Sequence, residues 1–167
     1  MGRNKFLFYP LLALLLLAII VMGLKSTGYS LVHQLTPSMP IGWYWASPIK
    51  LPLKHGEAVL FTPPKKLKDY LIQHDWLGQS MSMMKQVYGV PGDFICRRGD
   101  WLFINDKKTA YIQQDYAPGK PLPQWRVCEV IAKNHYLLLA LRVSNSFDGR
   151  YFGLIEQKQI FAKVTQL

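Results

Sequence analysis

The chain has 167 residues, enough for one domain with a real core and too few for two large ones. Half of it is apolar and only 18% is charged, which excludes a disordered chain. The net charge of +10 comes without a basic cluster interleaved with aromatics and without a zinc-finger or helix-turn-helix pattern, so no nucleic-acid partner is expected.

Residues 1–5 are short and basic, with Arg3 and Lys5, and the run Phe6 to Leu24 that follows, "FLFYPLLALLLLAIIVMGL", carries no charge. At ~1.5 Å per residue a helix of this length approaches the ~30 Å hydrocarbon thickness of a bilayer. Pro10 falls in its first turns, where it costs little. The positive charge at the short amino end predicts a cytoplasmic N-terminus (1–5), a retained transmembrane anchor (6–24) and an exported domain (25–167). The competing reading is a cleaved signal peptide, which would have a shorter apolar core and a small-x-small site, and no clean Ala-x-Ala follows here.

A short linker leads to "LTPSMPIGWYWASP" (Leu35 to Pro48), whose prolines and glycine rule out a regular helix. "GEAVLF" (Gly56 to Phe61) reads as a buried strand ended by Thr62-Pro63-Pro64. "KKLKDYLIQHDWL" sets Leu67, Tyr70, Leu71 and Leu77 at helical spacing and predicts a short surface helix, with Lys65, Lys66 and Lys68 solvated. "SMSMMKQVYGVPGD" (Ser80 to Asp93) predicts a strand running into a Pro-Gly-Asp turn. Two strands around "RRGD" and a tight turn at Asn105-Asp106 follow. "RVCEVIA" and "NHYLLLALRV" read as a hairpin-like pair around Lys133-Asn134, and "KQIFAKVTQL" as a last strand. The pattern predicts a mostly antiparallel β-domain. Cys96 and Cys128 have no CxxC or zinc spacing; in an exported domain they would form one disulfide, and otherwise they are two buried thiols.

Ser38 stands between Pro37 and Met39-Pro40 on a constrained loop, and a serine hydroxyl is a poor nucleophile until a base removes its proton. The four histidines are scattered, with no motif that supports a Ser/His/Asp triad and no metal-ligand spacing, so neither metal nor cofactor is expected. Lys85 is the better candidate base. On a strand it shares a face with Met83 and Val87. An ammonium on such a face loses hydration, which lowers its pKa and lets the neutral amine accept a proton. Read alone, Lys85 is better taken as an edge-strand lysine whose head reaches solvent, and only the surrounding motifs change that.

"PSMP" soon after an amino-terminal apolar run, then "KQVYGVPGD", then "SFDGRYFG", in that order, resembles the signal peptidase I clan of Ser/Lys endopeptidases. "TPSMPIGWYW" and "FDGRYFG" are most similar to its conjugation-associated branch, the TraF-type transfer peptidases. The resemblance implies the clan's antiparallel β-domain on one N-terminal transmembrane helix. It implies Ser38 as nucleophile, Lys85 as general base, Thr36 as an oxyanion donor and Ser146 as the hydroxyl that orients the lysine. Asp148 and Arg150 match the clan's structural ion pair, and Met39 its apolar residue beside the nucleophile, resting on substrate or membrane. Trp43 and Trp45, in "IGWYW", read as a membrane- or substrate-facing edge. Also implied are an exported precursor with small residues before the cleavage site, a conjugative pilin among the expectations, and cleavage with or without joining of the ends. The expected location is the bacterial inner membrane, with the catalytic domain periplasmic and the bilayer as a partner. Gln86 stands where bacterial signal peptidases commonly have Arg, "ALRVSN" replaces their Gly-Asp-Asn, and Gly149 replaces a serine, all of which separate the chain from the housekeeping enzyme. Rival readings are a non-catalytic envelope assembly domain and, against the apolar run, a self-cleaving repressor.

Overall fold

The computed structural model describes residues 5–76 and 81–167. The apolar run forms helix α1 (Lys5–Ser26), with Pro10 inside it. Among the described residues no helix is long and apolar enough to cross a membrane. The anchor expected at 6–24 therefore does not appear among the described residues as a membrane span.

The linker is not a coil. It pairs as strand β1 (Ser30–Gln34) with β2 (Gly42–Pro48), which includes most of "IGWYW". Along β2, Trp43 and Trp45 point out while Tyr44 and Ala46 are buried, the two-residue period of a half-buried strand. β3 (Ala58–Phe61) and helix α2 (Lys65–Gln73) form where the apolar runs predict them, with Leu71 the buried residue of α2. Leu77 and Ser80 lie outside the described residues.

β4 (Met83–Gly89), β5 (Phe94–Arg98), β6 (Trp101–Ile104) and β7 (Lys107–Tyr111) follow. Asn105 and Asp106 both take positive φ, 48° and 61°, the conformation that a two-residue hairpin turn demands. β8 (Asp115–Ala117) and β9 (Lys120–Pro121) make a small ribbon. β10 (Cys128–Val130), β11 (His135–Leu139), helix α3 (Gly149–Phe152), β12 (Ile155–Glu156) and β13 (Ile160–Gln166) complete the chain.

The larger sheet has the order β1-β2-β13-β3-β4-β11-β12, and a four-stranded sheet has the order β10-β5-β6-β7. All their pairings are antiparallel. The hairpin expected around Lys133-Asn134 is corrected here. The turn exists, with Asn134 at φ 63°, but β10 pairs with β5 while β11 pairs with β4 and β12. Two bonds divert the chain: Ile131 N–H donates to the Asp93 carbonyl (2.8 Å), and its own carbonyl accepts from Gly92 N–H (3.0 Å). Cys96 and Cys128 oppose each other in the β5–β10 register and are joined as a disulfide.

Ile95, Leu102, Ile112, Ile131, Leu137 and Leu139 meet in one buried cluster between the sheets. Val59, Phe61, Val87, Tyr136 and Leu138 form a second across the larger sheet. Each such fully buried aliphatic or aromatic side chain contributes about 1.5–3 kcal/mol.

Candidate active site

The loop between β1 and β2 carries Thr36, Ser38 and Met39. Two side chains pin it. Tyr44, buried on β2, donates its hydroxyl to the Pro40 carbonyl at 2.8 Å. Gln34, the buried last residue of β1, donates its amide to the Thr36 carbonyl (2.9 Å) and to Thr36 Oγ1 (2.7 Å). Thr36 Oγ1 and Ser38 Oγ then share a hydrogen bond of 3.1 Å. Either hydroxyl can donate in this bond, since accepting from Gln34 leaves Thr36 Oγ1 one lone pair and its proton.

Met39 is 8% exposed and packs with Tyr44, Ala46, Leu60 and Met84 in a third buried cluster. It packs into the core and also lines a groove that Ser38 and Pro40 share. Trp43 and Trp45 are 51% and 37% exposed. His33 stacks on Trp43 with ring centroids 4.5 Å apart, and Tyr29 on Trp45 at 5.9 Å.

Lys85 lies on β4 and is 3% exposed. Its Nζ donates to Ser146 Oγ at 2.9 Å. Burial lowers its pKa to about 8; the Asp148 carboxylate opposes that shift and the Arg150 guanidinium adds to it. Ser38 and Lys85 line the same cleft of about 600 Å³, with Met83 and Met84 on the β4 side. The hydrogen bond of Lys85 runs to Ser146 and not to Ser38.

Ser146 is held by the segment that follows it. Asp148 caps α3 by accepting from Arg150 N–H, and its other oxygen accepts from Ala140 N–H at 2.9 Å, tying the segment to the end of β11. Arg150 grips Asp148 bidentately through Nε (2.8 Å) and one terminal nitrogen (2.9 Å). Its remaining donors reach the carbonyls of Tyr111 (2.9 Å), Ser144 (3.2 Å) and Ser146 (3.0 Å). All five guanidinium donors are used, so this buried ion pair is fully satisfied.

Two departures from the clan's motifs have a visible cause. A Cβ on Gly149 would lie 2.8 Å from the Leu138 carbonyl oxygen and 2.8 Å from a Leu137 methyl, so α3 approaches β11 too closely for a side chain. Gln86 points away from the cleft floor and donates to the Gly56 carbonyl at 2.8 Å.

Sequence reasoning missed two features. Gln34 and Tyr44 position the serine loop, and only strand alternation pointed inward at them. Trp76, Tyr116 and Phe147 wall the cleft on its far side, with centroids 4.9 Å (Trp76–Tyr116) and 5.2 Å (Trp76–Phe147) apart. No local periodicity joins residues so scattered. Of the histidines, His33 lines the cleft, while His55 bonds Asp93 (2.7 Å) and His74 and His135 bond local carbonyls.

An antiparallel β-domain that opens a pinned serine and a buried lysine into one cleft is of the serine-peptidase class. The chain belongs to the signal peptidase, peptidase S26 family, whose model matches residues 3–167. It is similar to plasmid transfer protein TraF of Escherichia coli, 34% identical over 150 residues, which is 82% of this chain and 83% of that protein. It is 38% identical over 96 residues to signal peptidase IB of Staphylococcus aureus, covering 49% of this chain and 50% of the relative. A crystal structure of a signal peptidase I from Enterococcus faecalis matches with TM-score 0.41 and 21% identity, over 70% of this chain and 99% of that one. The resemblance read from the three ordered motifs is borne out.

Proposed function

We propose that this chain is a membrane-anchored serine endopeptidase that cuts exported precursor proteins, with Ser38 as nucleophile and Lys85 as general base. The observation that carries the reading is the shared cleft: a loop-pinned serine and a 3% exposed lysine with pKa near 8 open into one space. About a tenth of such a lysine is neutral at pH 7, against less than a thousandth of an ordinary one. Ser146 keeps it oriented, and Arg150 and Asp148 keep Ser146 in place.

The ladder between β11 and β4 ends at Leu139↔Gln86, so the Met83–Lys85 backbone offers an edge on that side. An extended peptide adds to such an edge by main-chain hydrogen bonds and brings a carbonyl toward Ser38. Lys85 takes the proton as Ser38 Oγ bonds to the carbonyl carbon. The Ser38 N–H and the Thr36 hydroxyl then hold the oxyanion. Collapse breaks the C–N bond, and the leaving amine receives the proton from Lys85. Water, deprotonated by the same lysine, releases the acyl group as a carboxylate and restores Ser38. Substrate closing the cleft draws the serine and lysine together, as catalytic hydrogen bonds tighten in the bound complex.

The names of the relatives, plasmid transfer protein TraF and signal peptidase IB, support an exported precursor, and we assign a conjugative pilin as the substrate class. The uncharged run Phe6 to Leu24 and the exposed Trp43 and Trp45 on the strand pair that follows support attachment at a bacterial inner membrane. The N-terminus is then cytoplasmic and the β-domain periplasmic.

The test is maturation of co-expressed precursors, followed by size. Ser38→Ala and Lys85→Ala should each abolish it while the purified variants melt as folded proteins; equal maturation by both variants would refute the dyad. A Thr36→Val change should lower kcat about a hundredfold, with Thr36→Ser restoring most of it.

A further inference from the structure

Ser38 stands between two spaces of different character. On one side is the cleft that contains Lys85, with the exposed carboxylate of Asp75 at its lining. On the other is a more open groove of about 890 Å³, lined by Ser38, Met39, Pro40 and Arg142 among others. The charges facing this groove are His55, Glu57, Lys163 and Arg142. Three of them are already engaged. His55 bonds Asp93 at 2.7 Å, and Glu57 accepts from Lys163 at 2.8 Å and from Lys54 N–H at 3.0 Å. Arg142, in the turn after β11, is exposed and has no ion pair among the described residues.

We infer that the Arg142 groove binds the leaving segment of the substrate and selects an acidic residue shortly after the scissile bond. This rests on the peptidase reading above. The acyl portion must stay bound through two chemical steps and needs the more enclosed cleft with its strand edge, whereas the released peptide must depart and suits the open groove. A carboxylate on that segment meets a guanidinium fork with free donors, a charge-assisted bidentate pairing. The acidic and basic groups lining the acyl-side cleft are His33, Asp75 and the buried Lys85, with no arginine among them.

The experiment uses the detergent-solubilised full chain and synthetic peptides with alanines before the scissile bond. They differ only in Glu, Gln or Lys as the second residue after it. The wild-type chain should cleave the Glu peptide about tenfold better in kcat/KM than the Lys peptide. Arg142→Glu should invert that order and Arg142→Gln flatten it. The Ser38→Ala chain, read by fluorescence anisotropy, should bind the peptides in the same order, inverted by adding Arg142→Glu. Moving the charge to the residues before the bond should give no preference that Arg142→Glu inverts. Cleavage with no charge order, or an order that Arg142→Glu leaves as it was, overturns the Arg142 assignment and leaves the peptidase reading standing. Charge-ordered binding that Arg142→Glu inverts, with no cleavage by the wild-type chain, does the reverse. Absence of both overturns both.

Discussion

The seven-stranded sheet and the four-stranded sheet of this chain hold themselves together by different means. Gln34, Lys85, Ser146, Asp148 and Arg150, all buried, belong to the larger sheet and its loops. The smaller sheet presents Ile95, Leu102, Ile104 and Ala110 to an apolar cluster, and a disulfide ties its outer strand β10 to β5. A buried ion pair adds little net stability, because desolvation offsets most of its Coulomb attraction. Apolar burial and a crosslink have no such offset. The contrast teaches that the larger sheet adds buried positioning groups to its apolar clusters, whereas the smaller sheet relies on apolar burial and a crosslink.

The largest effect should come from breaking the positioning network. Arg150→Met leaves Asp148 charged and buried, so we expect a loss of about 4 kcal/mol in chemical denaturation, together with loss of activity as Ser146 is released. Cutting the crosslink tests the other sheet: Cys96→Ser with Cys128→Ser should cost about 3 kcal/mol of stability while kcat of the folded enzyme stays within twofold. A large drop in kcat there would erase the division between the sheets.

Lys85 sharpens the comparison through pH. Its folded pKa, about 8, lies below the ~10.4 of an unfolded lysine, so the folded state binds fewer protons between those values. Stability therefore rises with pH across the window from about 8 to 10.4, and the cost of burying the charge is fully present below it. Lys85→Met should be more stable than wild type by roughly 2 kcal/mol at pH 7, with the difference fading toward pH 10.5. The activity of the wild-type chain should climb about tenfold per pH unit and level off near pH 8; a midpoint near 10 would contradict a desolvated base. The smallest effect should follow Gly149→Ser, which restores the clan's residue yet forces α3 off β11 and should cost about 1 kcal/mol.

Much of this was legible in the chain itself. Alternation placed Lys85 among apolar neighbours on one face, turn chemistry placed Asn105-Asp106, and the order of three short motifs named the family. These are local signals, set by a period of two, by backbone sterics and by short-range spacing. Alternation says which face a residue takes and nothing about its partner. That is why alternation alone does not separate β1 from a linker or pair β10 with β5 rather than β11. Lys85 and Ser146 are 61 residues apart in sequence, and packing alone makes them neighbours and desolvates the amine. The same packing closes Gln34 over Thr36, drives α3 against β11 at Gly149, and leaves Arg142 with no ion pair among the described residues in a groove that Ser38 also lines.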